Sequence, residues 1–123
     1  MRVVQGNPAF QAVDLQIDAG GPVIFGAQPG VVQGFLPVSP AVHTVLFFSA
    51  GTSATAKAVA TCTTPTLAVG IHYTLVLVAS LAGGTSANPC VTFTEPVVTP
   101  PAGQGVIVFH NIAGNPGVKD ANG

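Results

Sequence analysis

Charge is what this chain has least of. Only Arg2, Lys57 and Lys119 are basic and only Asp14, Asp18, Glu95 and Asp120 are acidic, so 6% of the 123 residues are charged, against roughly a quarter in an ordinary soluble domain. With a formal net charge of −1, there is no basic patch for nucleic acid and no polybasic stretch for anionic lipid. So few carboxylates leave acid–base catalysis short of candidates. Tryptophan is absent and tyrosine occurs once, which makes aromatic platforms for stacking sugars scarce. Long apolar runs are missing as well. The most apolar one, Leu75 to Leu81, is far shorter than the roughly 20 residues a helix needs to cross a bilayer.

What is present is apolar and alternating. Hydrophobic residues make up 48% of the chain and the mean hydropathy is +0.60. An isolated monomer with so few charges has little to resist self-association, and large exposed apolar patches mark contact surfaces. The alternative is a secreted domain coated with Thr, Ser and Gly. Helical stripes are lacking, and period-2 alternation dominates. Val13, Leu15 and Ile17 point one way while Asp14, Gln16 and Asp18 point the other, as on a strand with a solvated face. Further strands are expected at Val23 to Phe25, Val31 to Leu36, His43 to Ser49, Thr55 to Thr61, His72 to Ser80 and Val91 to Thr94. His43 to Ser49 has two apolar faces, which burial on both sides would explain. Many short strands with regular turn signals predict an all-β fold, an antiparallel β-sandwich.

Two cysteines, Cys62 and Cys90, bear on compartment. Bridged, they close a loop that constrains the unfolded chain by about 3–4 kcal/mol. Unbridged, they would be two buried thiols, and their neighbours do not suggest a metal site. The bridge is the expectation, and with it an oxidising, extracellular setting. Met1-Arg2 leads straight into a strand without an apolar signal segment, so a mature or excised piece of a longer precursor is expected.

The chain also starts its plan twice. Arg2-Val3-Val4-Gln5-Gly6-Asn7-Pro8 is echoed, roughly a hundred residues on, by Val106-Ile107-Val108-Phe109-His110-Asn111 and then Gly114-Asn115-Pro116. Between them, Glu95 to Gly105 is rich in Pro and Gly and reads as a linker. The expected organisation is a β-sandwich domain over 1–98, a linker over 99–105 and a C-terminal extension strand with its tail over 106–123. That last piece is either the start of a second copy or a strand lent to a neighbour.

The order of several short motifs resembles the family known as domain of unknown function 4397. They are the opening Arg2-Val3-Val4 strand, the Gln5-Gly6-Asn7-Pro8 turn, Ala12-Val13-Asp14-Leu15-Gln16-Ile17-Asp18, Pro40-Ala41-Val42-His43-Thr44-Val45 and Ala68-Val69-Gly70-Ile71-His72-Tyr73-Thr74-Leu75. Gln5 stands where the family usually has His, while His110 holds that position in the echo. The resemblance covers most of residues 1–98. It implies an immunoglobulin-like sandwich, secreted, prokaryotic and often in tandem copies, and it brings no known catalytic residues.

Individual side chains offer little chemistry. His43, His72 and His110 each sit at a strand end, where a histidine is more often a surface or cap residue than a ligand. Asp14 and Asp18 could assist a calcium ion, but calcium wants six to eight oxygens, so they are read as solvated. No serine lies in a nucleophile-elbow context. No enzyme activity, metal or cofactor is expected. Threonine-rich segments could carry O-linked sugar, though threonine is also a good strand residue.

The expected function is therefore a non-catalytic structural subunit of an extracellular filament or surface assembly, a homopolymer joined head-to-tail. Val106, Ile107, Val108, Phe109 and His110 would add as a strand to the neighbour's sheet edge. The alternative is an adhesin-type module that binds glycan or a surface protein through loops such as Gly83 to Pro89. A third arrangement keeps the last strand at home, closing its own sandwich.

Overall fold

The computed structural model of the chain describes residues 1–20, 22–52, 56–78, 88–97, 99–107 and 110. Among these residues seven strands are formed: β1 (Arg2–Gln5), β2 (Val13–Ile17), β3 (Pro22–Ala27), β4 (Thr44–Ser49), β5 (Ala60–Thr63), β6 (His72–Leu77) and β7 (Cys90–Glu95). They make a three-stranded sheet in the order β1-β6-β7 and a four-stranded sheet in the order β3-β2-β4-β5. The two pack face to face, so the expected all-β sandwich is what the sequence builds.

The core follows from alternation. Val13 and Leu15 of β2, Val45 and Phe47 of β4, and Leu75 and Leu77 of β6 are each at most 1% exposed. Val3 of β1 and Cys62 of β5 join them. Burying a side chain of that size contributes about 1.5–3 kcal/mol, and the β-branched and aromatic residues suit a pleated, buried surface. The two-sided character of β4 has its explanation too: Phe48, on the opposite face from Phe47, is also buried.

Three expectations need correcting. Val31 to Leu36 is not a strand. It is an irregular strap that touches β1 through one bridge, Val4 to Val32. Gly30 at φ 77° turns the chain into it, and Pro37, which has no N–H to give a ladder, follows it. The strand expected over Thr55 to Thr61 starts later, at Ala60, and ends at Thr63; residues 53–55 lie outside the described residues. The pairing is also not wholly antiparallel, because β1 runs parallel to β6. These two strands are far apart in sequence, so no hairpin dictates their direction.

The larger correction concerns β2. Asp14 is 4% exposed and Gln16 8%, so two of the three side chains read as a solvated face are buried, and only Asp18 reaches solvent. The Asp14 carboxylate accepts the N–H of Gly26 at 2.8 Å and of Gly51 at 3.0 Å. It ties β3 and the turn after β4 to the centre of the sheet. Gly26 lies at φ 63°, a backbone state glycine adopts without steric cost. There the β2–β3 register shifts.

Candidate functional site

A sheet-based assembly surface is decided at the edges, where unpaired backbone N–H and C=O groups can template another strand. This sandwich has four edges: β1 and β7 in one sheet, β3 and β5 in the other.

The β5 and β7 edges lie together and are stapled. Cys62 of β5 and Cys90 of β7 form a disulfide across the two sheets, with the Cα atoms 5.6 Å apart. Beside it the Asn88 side chain imitates a neighbouring strand. Its Oδ1 accepts from the Thr63 N–H at 3.2 Å and its Nδ2 donates to the Thr63 carbonyl at 3.0 Å. One exposed backbone pair on β5 is thereby satisfied.

The β1 edge is covered by the strap. The Leu36 N–H donates to the Met1 carbonyl at 2.7 Å and the Gly30 N–H to the Gln5 carbonyl at 2.8 Å. Gln5 itself is 1% exposed. Its amide nitrogen is shared among the carbonyls of Asn7, Phe10 and Gln11 at 2.9–3.1 Å, which closes the Asn-Pro turn onto β1.

The β3 edge is different. Among the described residues β3 pairs only with β2, and it shows solvent Val23 at 46% and Phe25 at 72% exposure. Since β5 and β7 share one flank, β3 and β1 with its strap form the other. Val31, Val32 and Phe35 of the strap are exposed there as well. Between Val23 and the end of the strap lies a cleft of about 400 Å³, walled by Ile17, Leu36, Pro37 and Val38.

The floor of that cleft holds His43 and Asp18. His43 is buried, not the surface residue its position at a strand end suggested. Its Nδ1 lies 2.7 Å from Asp18 Oδ2 and its Nε2 2.8 Å from the Ser39 carbonyl. A carbonyl and a carboxylate both accept, so the doubly protonated ring fits both. The Ser39 carbonyl and the Asp18 carboxylate hold the His43 pKa above its ordinary value against the effect of burial. Asp18 is held below the usual carboxylate range by the hydrogen bond from His43 and then that from the Thr44 N–H. Asp18 sits at φ 56°, in the left-handed region that Asp tolerates better than most residues. Asp14 and Asp18 thus have separate partners and do not converge on a cation. Among the described residues no three His, Cys, Asp or Glu side chains group as metal ligands do.

Glu95 is the second ionic strut. Its Oε1 accepts from Arg2 at 3.2 Å, from the Thr74 hydroxyl in a short bond, and lies 3.1 Å from His110 Nε2. Burial is the largest single influence and acts to raise the Glu95 pKa, but the bonds from Thr74, His110 and Arg2 together leave it lowered. The His110 ring stacks on Phe93 with centroids 4.0 Å apart. The chain after β7 is thus pinned back onto its own sheet at His110. Between the two fixed points Val106 is 48% and Ile107 94% exposed. Val108 and Phe109, also expected in the extension strand, lie outside the described residues. His72 packs against Phe35 at 4.8 Å.

A second cleft, about 430 Å³, opens at the end of the sandwich where β1 and β6 begin, lined among others by Met1, Phe35, Leu67, Val69, His72 and Tyr73. Tyr73 is largely buried and its hydroxyl accepts from the Ala68 N–H at 3.1 Å. It therefore offers no free stacking face. The adhesin loop from Gly83 falls largely outside the described residues.

A family model described as a domain of unknown function, DUF4397, matches residues 1–119. The chain belongs to the DUF4397 family. The match runs through the Pro/Gly stretch and the segment after it. No curated protein and no solved structure matches the chain.

The sequence reading missed the buried roles of Asp14, Gln5 and His43. A signal was present for one of them: in a chain this poor in charge, an Asp at the centre of an apolar strand is worth more as a buried acceptor than as a solubiliser.

Proposed function

We propose that this DUF4397 domain is a non-catalytic structural subunit that assembles with copies of itself, in an extracellular or cell-surface setting. One observation carries the reading: among the described residues four of the five charged side chains serve as struts within the fold, while apolar side chains face solvent. Arg2, Asp14, Asp18 and Glu95 are all engaged within the fold. Lys57 is exposed, but so are Val23, Phe25, Phe35, Val69, Val97 and Ile107. A surface so nearly uncharged gives like copies no repulsion to overcome. The disulfide favours an oxidising compartment. The occupied ionisable groups favour a structural over a catalytic role.

The mode of joining is strand addition, with Val106 to His110 as the donor, a step in which His110 leaves Glu95 and Phe93 of its own sheet. Such a contact is heterologous and grows a fibre rather than closing. The test is negative-stain electron microscopy of the intact chain beside one lacking residues 105–123. Fibres from the intact chain and folded, dispersed particles from the shortened one support the reading; fibres from both remove strand donation.

The second reading, a surface module binding glycan or protein, is favoured by the end cleft and by half-exposed Phe35, over whose ring Arg2 lies at 5.0 Å. Dispersed particles at high concentration together with glycan-array binding would select it.

A further inference from the structure

The four edges are not equivalent, and the difference picks out a receiving site. β1 is covered by the strap and β5 is capped at Thr63 by Asn88; among the described residues β7 pairs only with β6 but is tied to β5 by the disulfide and overlaid at Phe93 and Glu95 by His110. Natural sheets protect exposed edges with charge, proline, bulges or cover. Over Pro22–Ala27 no residue is charged, and no described segment covers the strand. The proline at its start and the two register shifts flanking the Leu15–Ile24 pair, one at Gly26 and one beside Val23, limit a partner to the short stretch from Val23 to Phe25. Beside it lies the apolar cleft of about 400 Å³ between Val23 and Leu36 to Val38.

The same chain carries a matching segment. From Pro96 to Ile107 there is no charged residue. Within it Val106 and Ile107 are held out between the end of β7 and the His110 anchor, with Ile107 94% exposed. Neither has a strand partner within the described residues. An acidic or basic partner would find little to pair with on this flank, because its charged groups among the described residues, Asp18 and Arg2, are already bonded to His43 and Glu95. An uncharged segment would fit, and this chain supplies one that ends in two β-branched residues, Val106 and Ile107.

We infer that the β3 edge and the adjoining cleft receive the segment containing Val106 and Ile107 from a second copy. Resting on the self-assembly reading above, this names the acceptor. Backbone pairing along Val23 to Phe25 sets the register, and one of the two apolar side chains fills the cleft against Ile17, Leu36 and Val38.

Phe25→Lys places a charge on the open edge at a solvent-exposed position, so the fold should survive it, as circular dichroism would verify. Val69→Lys, at an 82% exposed site away from β3, is the matched control. Fibre formation should be lost in the first, by at least tenfold in polymer yield, and kept in the second. Mixing Phe25→Cys with isotopically labelled Ile107→Cys should also give labelled–unlabelled disulfide pairs in the polymer, read by mass spectrometry. Undiminished fibres from Phe25→Lys would overturn the β3 assignment and leave self-assembly standing. Pairs formed only between two Phe25→Cys chains would mark closed edge-to-edge dimers and overturn the donor. A wild-type chain that stays monomeric at all concentrations would defeat the self-assembly reading, and this inference with it.

Discussion

The two flanks of this sandwich treat the same physical problem in opposite ways. On one, β5 and β7 are fastened across the sheets by Cys62–Cys90, and Asn88 occupies the backbone groups of Thr63. On the other, β3 leaves Val23 and Phe25 in solvent without a charge in the strand. An edge strand is a pairing hazard wherever it is exposed. One flank thus carries a covalent tie and a side-chain cap, whereas on the other the strap covers β1 and β3 has no cover among the described residues. That asymmetry is what a head-to-tail subunit needs, and it can be tested from either side.

The largest expected effect comes from removing the staple. Replacing Cys62 and Cys90 together by Ala releases a loop with a sequence separation of 28, which costs about 3–4 kcal/mol in the chain-entropy view. Urea unfolding of the variant beside the oxidised wild type should show that loss as a lower midpoint. Matching midpoints would mean that Asn88 and the core hold the flank unaided.

Next is Asp14→Ala. It removes the acceptor of the Gly26 and Gly51 N–H groups, whose bonds are partly buried, and losing charge-assisted bonds of this kind costs about 2–3 kcal/mol. The Gly26 bond fixes the bulge that ends the open stretch of β3. Hydrogen exchange should therefore quicken on the open flank while the stapled flank stays protected. Equal loosening of both flanks would show that they are not independent.

How much of this was legible in the sequence follows the same division. Strands β2, β4, β6 and β7 were readable because alternation and burial agree: Val13, Leu15, Val45, Phe47, Leu75 and Leu77 all point inward. The strap was misread as a strand because its composition is strand-like. What decides its state is how its backbone is bonded, through one isolated bridge from Val32 to Val4 of β1 and the Leu36 N–H to Met1, and composition does not record that. Asp14 was misread because period-2 reasoning assigns a face, not an environment. The disulfide was legible from two cysteines beside turns. The open β3 edge was not, since edge or centre is a property of strand order, and long-range order between β1 and β6 leaves no local mark. The apolar Val106-Ile107 segment was visible as sequence; its exposure was not.

Titration should distinguish the clamp beneath the cleft from the staple. His43 has a raised pKa in the fold, so its contribution is complete below about pH 6.5, the unfolded value, and is lost as pH rises through the raised one. Asp18 has a lowered pKa, so its contribution is present above the unfolded carboxylate range and is lost as pH falls through the lowered one. The clamp is therefore strongest from mildly acidic pH up to the raised His43 value. Since the Asp18 side chain is 50% exposed, water screens the pair, and the effect should be smaller than that of Asp14→Ala. Wild type should lose stability from pH 6 to pH 9, and His43→Gln should flatten that slope. An unchanged slope would place the titration elsewhere.

The smallest expected change is the most local, and it bears directly on why the flanks differ. Asn88→Ala removes two exposed bonds to Thr63, worth about 1 kcal/mol together because water replaces them readily. Global stability should barely move, since the disulfide still fastens the flank. The Thr63 amide should nonetheless lose protection from exchange, because its acceptor is that side chain. If the stapled edge is closed chiefly by backbone mimicry, this variant should also begin to associate through β5, giving branched or laterally paired particles where wild type gives single fibres. If the disulfide alone suffices, exchange at Thr63 will change and the particles will not. Either result says which device does the closing: a covalent tie that fixes the sheets, or two hydrogen bonds that occupy the edge a neighbour would otherwise use.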